Sequence, residues 1–78
     1  MIRKEQKLVI TFNTTTDAMA MEQACKKAGA NGRIIPVPRA ITAGCGLAWS
    51  ADLGEEENLQ KLMEEHRIRY QAMQECQV

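Results

Sequence analysis

The spacing of apolar residues along this chain switches between two and three-to-four in a fixed order, and that order restricts the folds open to it. Leu8, Ile10 and Phe12 alternate with Lys7, Val9 and Thr11, the period of a strand with one face turned to a core. The β-branched residues in this run favour extended backbone. Asn13-Thr14-Thr15-Thr16-Asp17 then breaks the alternation. Thr14 suits the N-cap of a helix, with Asp17 three positions later in a variant of the capping box. The acid also sits favourably at the positive end of the helix dipole. Ala18, Met21, Cys25 and Ala28 follow at spacings of three or four, which is one apolar stripe. Lys26 and Lys27 fit the last turn, and Gly29 fits the left-handed position that closes a helix.

Arg33-Ile34-Ile35-Pro36-Val37 reads as a second strand. Pro36 has no N–H to give to a ladder, so this strand belongs at a sheet edge. Pro38 stiffens the exit, and Arg39 to Gly44 form a connection longer than a tight hairpin. Gly46-Leu47-Ala48-Trp49-Ser50-Ala51 is a third strand. Asp52 is placed to cap a second helix with Glu55 at the capping-box position, and Leu59, Leu62, Met63 and His66 mark its inner face. Ile68, Tyr70 and Ala72 alternate with Arg67, Arg69 and Gln71 as a fourth strand, with the tail beyond Met73 expected to fray. The order is strand, helix, strand, strand, helix, strand. Right-handed crossovers turn it into an α+β fold of the ferredoxin-like βαββαβ kind, an antiparallel four-stranded sheet with both helices on one face. The expectation is a single domain over 1–78, with its core at about 7–73 and short flexible termini.

A chain of 78 residues has little material for an enclosed pocket, so a shallow site or a docking surface is favoured. Ten basic and ten acidic residues give no net charge, whereas nucleic-acid binders need a basic excess for the phosphates. The same topology supports single-strand RNA binding, but Phe12 and Trp49 do not supply the paired aromatics that such a surface uses. No apolar run approaches the length that spans a bilayer. The charged start, Met1 to Lys7, is not a signal peptide, and a cytoplasmic location without membrane association is expected. Cys25, Cys45 and Cys76 are an odd set, expected as free thiols in a reducing compartment. Their spacings match no zinc pattern and His66 cannot complete one. Neither a metal nor a cofactor is expected.

Ala43-Gly44-Cys45-Gly46 is the unusual local feature. Glycine on both sides allows a sharp turn and leaves the sulfur uncrowded. Backbone N–H groups in such a turn can converge on an anion, and Arg39 lies six residues earlier on the same connection. Both would favour the thiolate, which is the reactive form. Two readings stay open on these residues alone: an activated thiol, or a small buried hydrophobe between two turn glycines. Cys25 belongs to the helical stripe and reads as core. Cys76 lies near the C-terminus, exposed and mobile, either incidental or a resolving thiol for Cys45. His66 reads as a helix C-terminal partner of the dipole or a satisfied half-buried histidine, ahead of a catalytic base. Glu55 to Glu57 and the Glu64–Glu65 pair read as a solvated helix face, Met19, Met21 and Met63 as packing, and Trp49 as a half-buried strand residue.

Taken in combination, several segments resemble one known family. They are Ile10-Thr11-Phe12, the threonine-rich entry with Asp17-Ala18, Ala28-Gly29, Arg33-Ile34-Ile35-Pro36-Val37-Pro38-Arg39, and Cys45-Gly46-Leu47-Ala48. Over about Leu8 to Tyr70 the chain is similar to the putative selenium/sulfur carrier protein-like family of small bacterial domains. The resemblance implies a thiol that holds sulfur or selenium as a persulfide or selenosulfide, and by match of position that thiol is Cys45. Members tend to have small polar residues just before this cysteine; here Ala43 and Gly44 stand there. On this reading Arg39 and the amides around Gly44 and Gly46 steady the anion. The protein is then a carrier more than a stand-alone enzyme. Its partners are a donor such as a cysteine desulfurase and an acceptor protein, with a homodimer possible. The alternative is a regulatory or assembly module of the same fold that binds a protein or small ligand and does no chemistry.

Overall fold

A computed structural model describes residues 6–37 and 46–77. The elements are β1 (Gln6–Thr11), α1 (Thr15–Ala28), β2 (Arg33–Pro36), β3 (Leu47–Ala51), a single 3-10 turn (Leu53–Glu55), α2 (Glu56–Glu65) and β4 (Ala72–Gln77). The strands form one sheet in the order β2-β3-β1-β4, and every pairing is antiparallel. This is the ferredoxin-like arrangement expected from the switching periodicity. Pro36 lies on an edge strand, as its missing N–H requires.

Leu8 and Ile10 of β1 face the same way as Ala51 and Trp49, their partners on β3. That face meets Ala18, Met21, Ala24 and Cys25 of α1 and Leu59, Leu62 and Met63 of α2. Both helices therefore lie on one side of the sheet. Phe12, Leu8, Ile10 and Met21 are fully buried, and each such side chain contributes about 1.5–3 kcal/mol. The stripe on α1 runs through Ala24, while Ala28 is exposed. Met19 also points to solvent. The opposite face of the sheet is closed to solvent at its centre, where Val9, Thr11 and Ala48 have no exposed surface.

Both helix ends are built as anticipated or better. The Thr14 hydroxyl oxygen accepts from the Asp17 N–H at 3.1 Å, and the Thr14 hydroxyl donates to the Asp17 carboxylate at 2.9 Å. At the other end of α1, Gly29 takes φ 68, and Ala30 N–H reaches the Cys25 carbonyl at 2.9 Å. This is a Schellman closure. The same closure recurs at α2, where Ile68 N–H reaches the Met63 carbonyl at 2.8 Å and Arg67 N–H the Glu64 carbonyl at 3.2 Å. Here the left-handed residue is Arg67, at φ 54.

That second closure corrects the fourth strand. Ile68 is buried in the core, but as the residue that folds back onto the last turn of α2 rather than as a strand residue. The Ile68/Tyr70/Ala72 alternation therefore mixes a helix closure with the first residue of the strand. Pairing begins at Gln71, whose N–H donates to the Thr11 carbonyl at 2.7 Å. It runs to Gln77 opposite Gln6, so the tail expected to fray is the strand itself. Cys76 accordingly sits opposite Lys7 and is half-buried.

The start of α2 also differs from expectation. Asp52 makes no side-chain cap, and a 3-10 turn precedes the helix. Its carboxylate is engaged elsewhere: Lys7 Nζ donates to it at 2.6 Å and Asn31 Nδ2 at 3.1 Å. Asp52 N–H donates to Asn31 Oδ1 at 2.9 Å. Three segments distant in sequence are thereby tied at one corner. Trp49 is 3% exposed, deeper than a half-buried strand residue, because its ring lies on the helix-packed face.

Candidate functional site: the end of the β2–β3 hairpin

Pro36 pairs with Leu47 at the end of the β2–β3 ladder. One step farther, Val37 N–H donates to the Gly46 carbonyl at 3.0 Å. The chain thus leaves β2 and rejoins β3 through a closed mouth. Gly46 takes φ 76, a left-handed backbone that glycine adopts without a Cβ penalty. No neighbouring atom would meet a Cβ there, so its backbone conformation, not crowding, accounts for glycine at this position. Arg39, Gly44 and Cys45 lie outside the described residues. Gly46 is the residue that follows Cys45 in the sequence.

The other two cysteines have settled positions. Cys25 is 1% exposed in the core, and burial pushes its thiol up to about 11. It is a packing residue, as its place on the helical stripe predicts. Cys76 lies on β4, on the sheet face away from the helices, next to Lys7. Its Sγ is 3.7 Å from the Gln77 carbonyl.

Sheet register separates Cys76 from the hairpin mouth. Cys76 is opposite Lys7, whereas Ala48 is opposite Thr11, four residues along β1. Gly46 lies two residues farther in the same direction. The separation is about 20 Å along the strands and about 10 Å across two of them, or about 22 Å between the Gly46 and Cys76 Cα atoms. A disulfide needs Cα atoms within about 7 Å, far less than the separation between Gly46 and Cys76; Cys45 itself, and with it the resolving-thiol expectation, lies outside the described residues.

The end of the sheet that carries the hairpin mouth carries other chemistry. β1 ends at Thr11, α1 is capped three residues later at Thr14, and the connection after α2 joins the same strand end, where Gln71 N–H donates to the Thr11 carbonyl. His66 is the C-terminal cap of α2 and is exposed rather than on the inner face. Arg67, Arg69 and Tyr70 line a groove beside it. Sequence reading placed these residues in a strand. The closing turn of α2 has no glycine to announce it, so the groove left no local signal. No group of His, Cys, Asp or Glu among the described residues is arranged to hold a metal. No described helix is long and apolar enough to cross a membrane.

The fold and the hairpin end define a small α+β domain of ferredoxin-like topology with a left-handed glycine, Gly46, at the rim of its sheet. The chain belongs to the family described as Putative Se/S carrier protein-like, whose model matches residues 7–75. No curated protein and no solved structure shows significant similarity to it.

Proposed function

We propose that this protein is a sulfur or selenium carrier and that Cys45 is the carrying thiol. Membership of the carrier-like family over residues 7–75 is the observation that bears the reading. The local chemistry supports it. Of the other two thiols, Cys25 is buried and its pKa is raised, and Cys76 is held within a strand.

In the loading step the Cys45 thiolate attacks the terminal sulfur of a donor persulfide. A new S–S bond forms to Cys45, the donor's own S–S bond breaks, and the donor cysteine leaves as a thiolate. The proton on the terminal sulfur stays with it. In the discharge step an acceptor nucleophile takes that terminal sulfur, and Cys45 returns to the thiolate. No net oxidant or reductant is consumed in either exchange. Arg39 and the amides near Gly44 and Gly46 stabilise the anionic sulfur, lowering the thiol pKa and raising the fraction ready to react. A cysteine desulfurase, which bears a cysteine persulfide, is the donor class this chemistry fits.

The test is incubation with a persulfide-loaded desulfurase, followed by separation and intact-mass measurement. The reading expects wild type to gain the mass of one sulfur atom and Cys45→Ala to gain none. An equal gain on both proteins would remove Cys45 from the role.

A further inference from the structure

The groove beside the end of α2 has a volume of about 450 Å³, within the range of specific ligand sites. Met63 and Ile68 supply an apolar floor, and both are buried. Gln60 and the 41%-exposed Tyr70 ring form walls. Arg67 and Arg69, two cationic residues, line it together with one acidic residue, Glu64. Among the described residues neither arginine makes an ion pair. Two forked donors over an apolar floor match a carboxylate-bearing chain with an apolar side chain between its acids.

Arg67 adds an independent indication. It occupies the left-handed position of the α2 closure at φ 54, where glycine would cost nothing. An arginine in that conformation carries a backbone cost that glycine would avoid, and it is one of the residues that line the groove. Position completes the argument. Gln71 bonds to Thr11, and Ala48 pairs with Thr11 from the other side. The connection that carries the groove residues Arg67 to Tyr70 therefore enters β4 at the same end of the sheet at which the hairpin mouth joins β3.

We propose that the Arg67–Arg69–Tyr70 groove docks an acidic segment of the protein that exchanges sulfur or selenium with this chain. The identity of the occupant as the exchange partner rests on the carrier reading. The groove's preference for an acidic segment does not. The arginines bind the carboxylates, and the apolar floor takes the side chain between them. A segment seated there brings its parent protein over the rim that bears the hairpin.

The experiment is an amide-resolved NMR titration of the full wild-type chain with a capped pentapeptide of four acidic residues around one leucine. The expected result is a set of saturable shifts confined to Gln60 through Tyr70. Affinity should drop several-fold in about 0.5 M salt, where charges are screened within a few ångströms. Arg67→Gln/Arg69→Gln should bind at least about tenfold more weakly, because both charge-assisted contacts are lost. Arg69→Gln alone serves if the double variant loses spectral dispersion. Absence of saturable shifts in this segment overturns the proposal. So do equal shifts from a lysine-substituted peptide, or from sodium sulfate at matched ionic strength, which would make the groove a free-anion site. The titration needs no reaction at sulfur. Groove binding without sulfur loading would sink the carrier reading alone, and loading without groove binding would sink the groove alone.

Discussion

The Trp49 indole N–H donates to the carbonyl of Asn31 at 3.1 Å, and the ring lies against the backbone of Gly32. Gly32 takes φ 119, and a Cβ there would overlap both the indole and the Ser50 carbonyl. Two constraints coincide at one residue: a backbone region closed to side chains and a space already filled. Gly32→Ala should cost about 2–4 kcal/mol, read as a shift in the urea midpoint with unchanged slope. A change below about 0.5 kcal/mol would mean the indole does not sit where it is described.

Asp52 predicts a pH signature. Its carboxyl is held below the ordinary carboxylate range, first by the hydrogen bond from Lys7, then by that ammonium's charge, with a smaller contribution from Asn31. A depressed folded pKa stabilises the protein above the unfolded value, and the benefit drains away as pH falls through the folded value. Wild type should therefore lose stability below about pH 4 more steeply than Asp52→Asn. Urea melts at stepped pH would show this, and parallel profiles for the two proteins would contradict it.

Cys25 predicts the opposite trend at the alkaline end. Its thiol is raised to about 11 by burial, so the unfolded chain releases this proton first. Stability from this group is present below the unfolded pKa of about 8.5 and is lost as pH rises towards the folded value. Cys25→Ala should flatten the decline between those values relative to wild type. In native protein at neutral pH a thiol reagent should leave Cys25 unmodified until denaturant is added. Labelling of Cys25 at the rate of a free thiol would refute its place in the core.

The register of β1 sets Cys76 about 22 Å from Gly46, the residue that follows Cys45 in the sequence. Mild oxidation of dilute protein, followed by peptide mapping, should yield no intrachain 45–76 linkage. Any such disulfide present in monomer that keeps its native circular dichroism would contradict the β1–β4 pairing.

The sequence carried the sheet order and helix ends wherever the signal was local. Alternation in Leu8, Ile10 and Phe12, the threonine cap at Thr14, the glycine closure at Gly29 and the edge marker Pro36 each act within a few residues of themselves. Features made by distant partners were hidden. Asp52 looked like a helix cap because its immediate neighbours fit a capping box, but Lys7 and Asn31 reach it from other parts of the chain. The fourth strand was displaced because Arg67 closes α2 in a conformation that sequence assigns to glycine. That same displacement concealed the groove and gave Cys76 a loose tail in place of a paired strand. For the candidate site, the glycine at 46 was legible as a turn residue and takes a positive φ. Arg39, Gly44 and Cys45 remain assignments of chemistry.

Loading followed by discharge tests the carrier account most directly. Wild type, Cys25→Ala, Cys76→Ala and Cys45→Ala are each exposed to a persulfide donor, freed of it, weighed intact, and then given excess small thiol. The account predicts that the first three gain the mass of one sulfur atom, release it as sulfide in equal amount, and return to their starting mass, while Cys45→Ala does neither. A sulfur adduct that forms equally without Cys45, or one that wild type takes up but cannot give back, would contradict it.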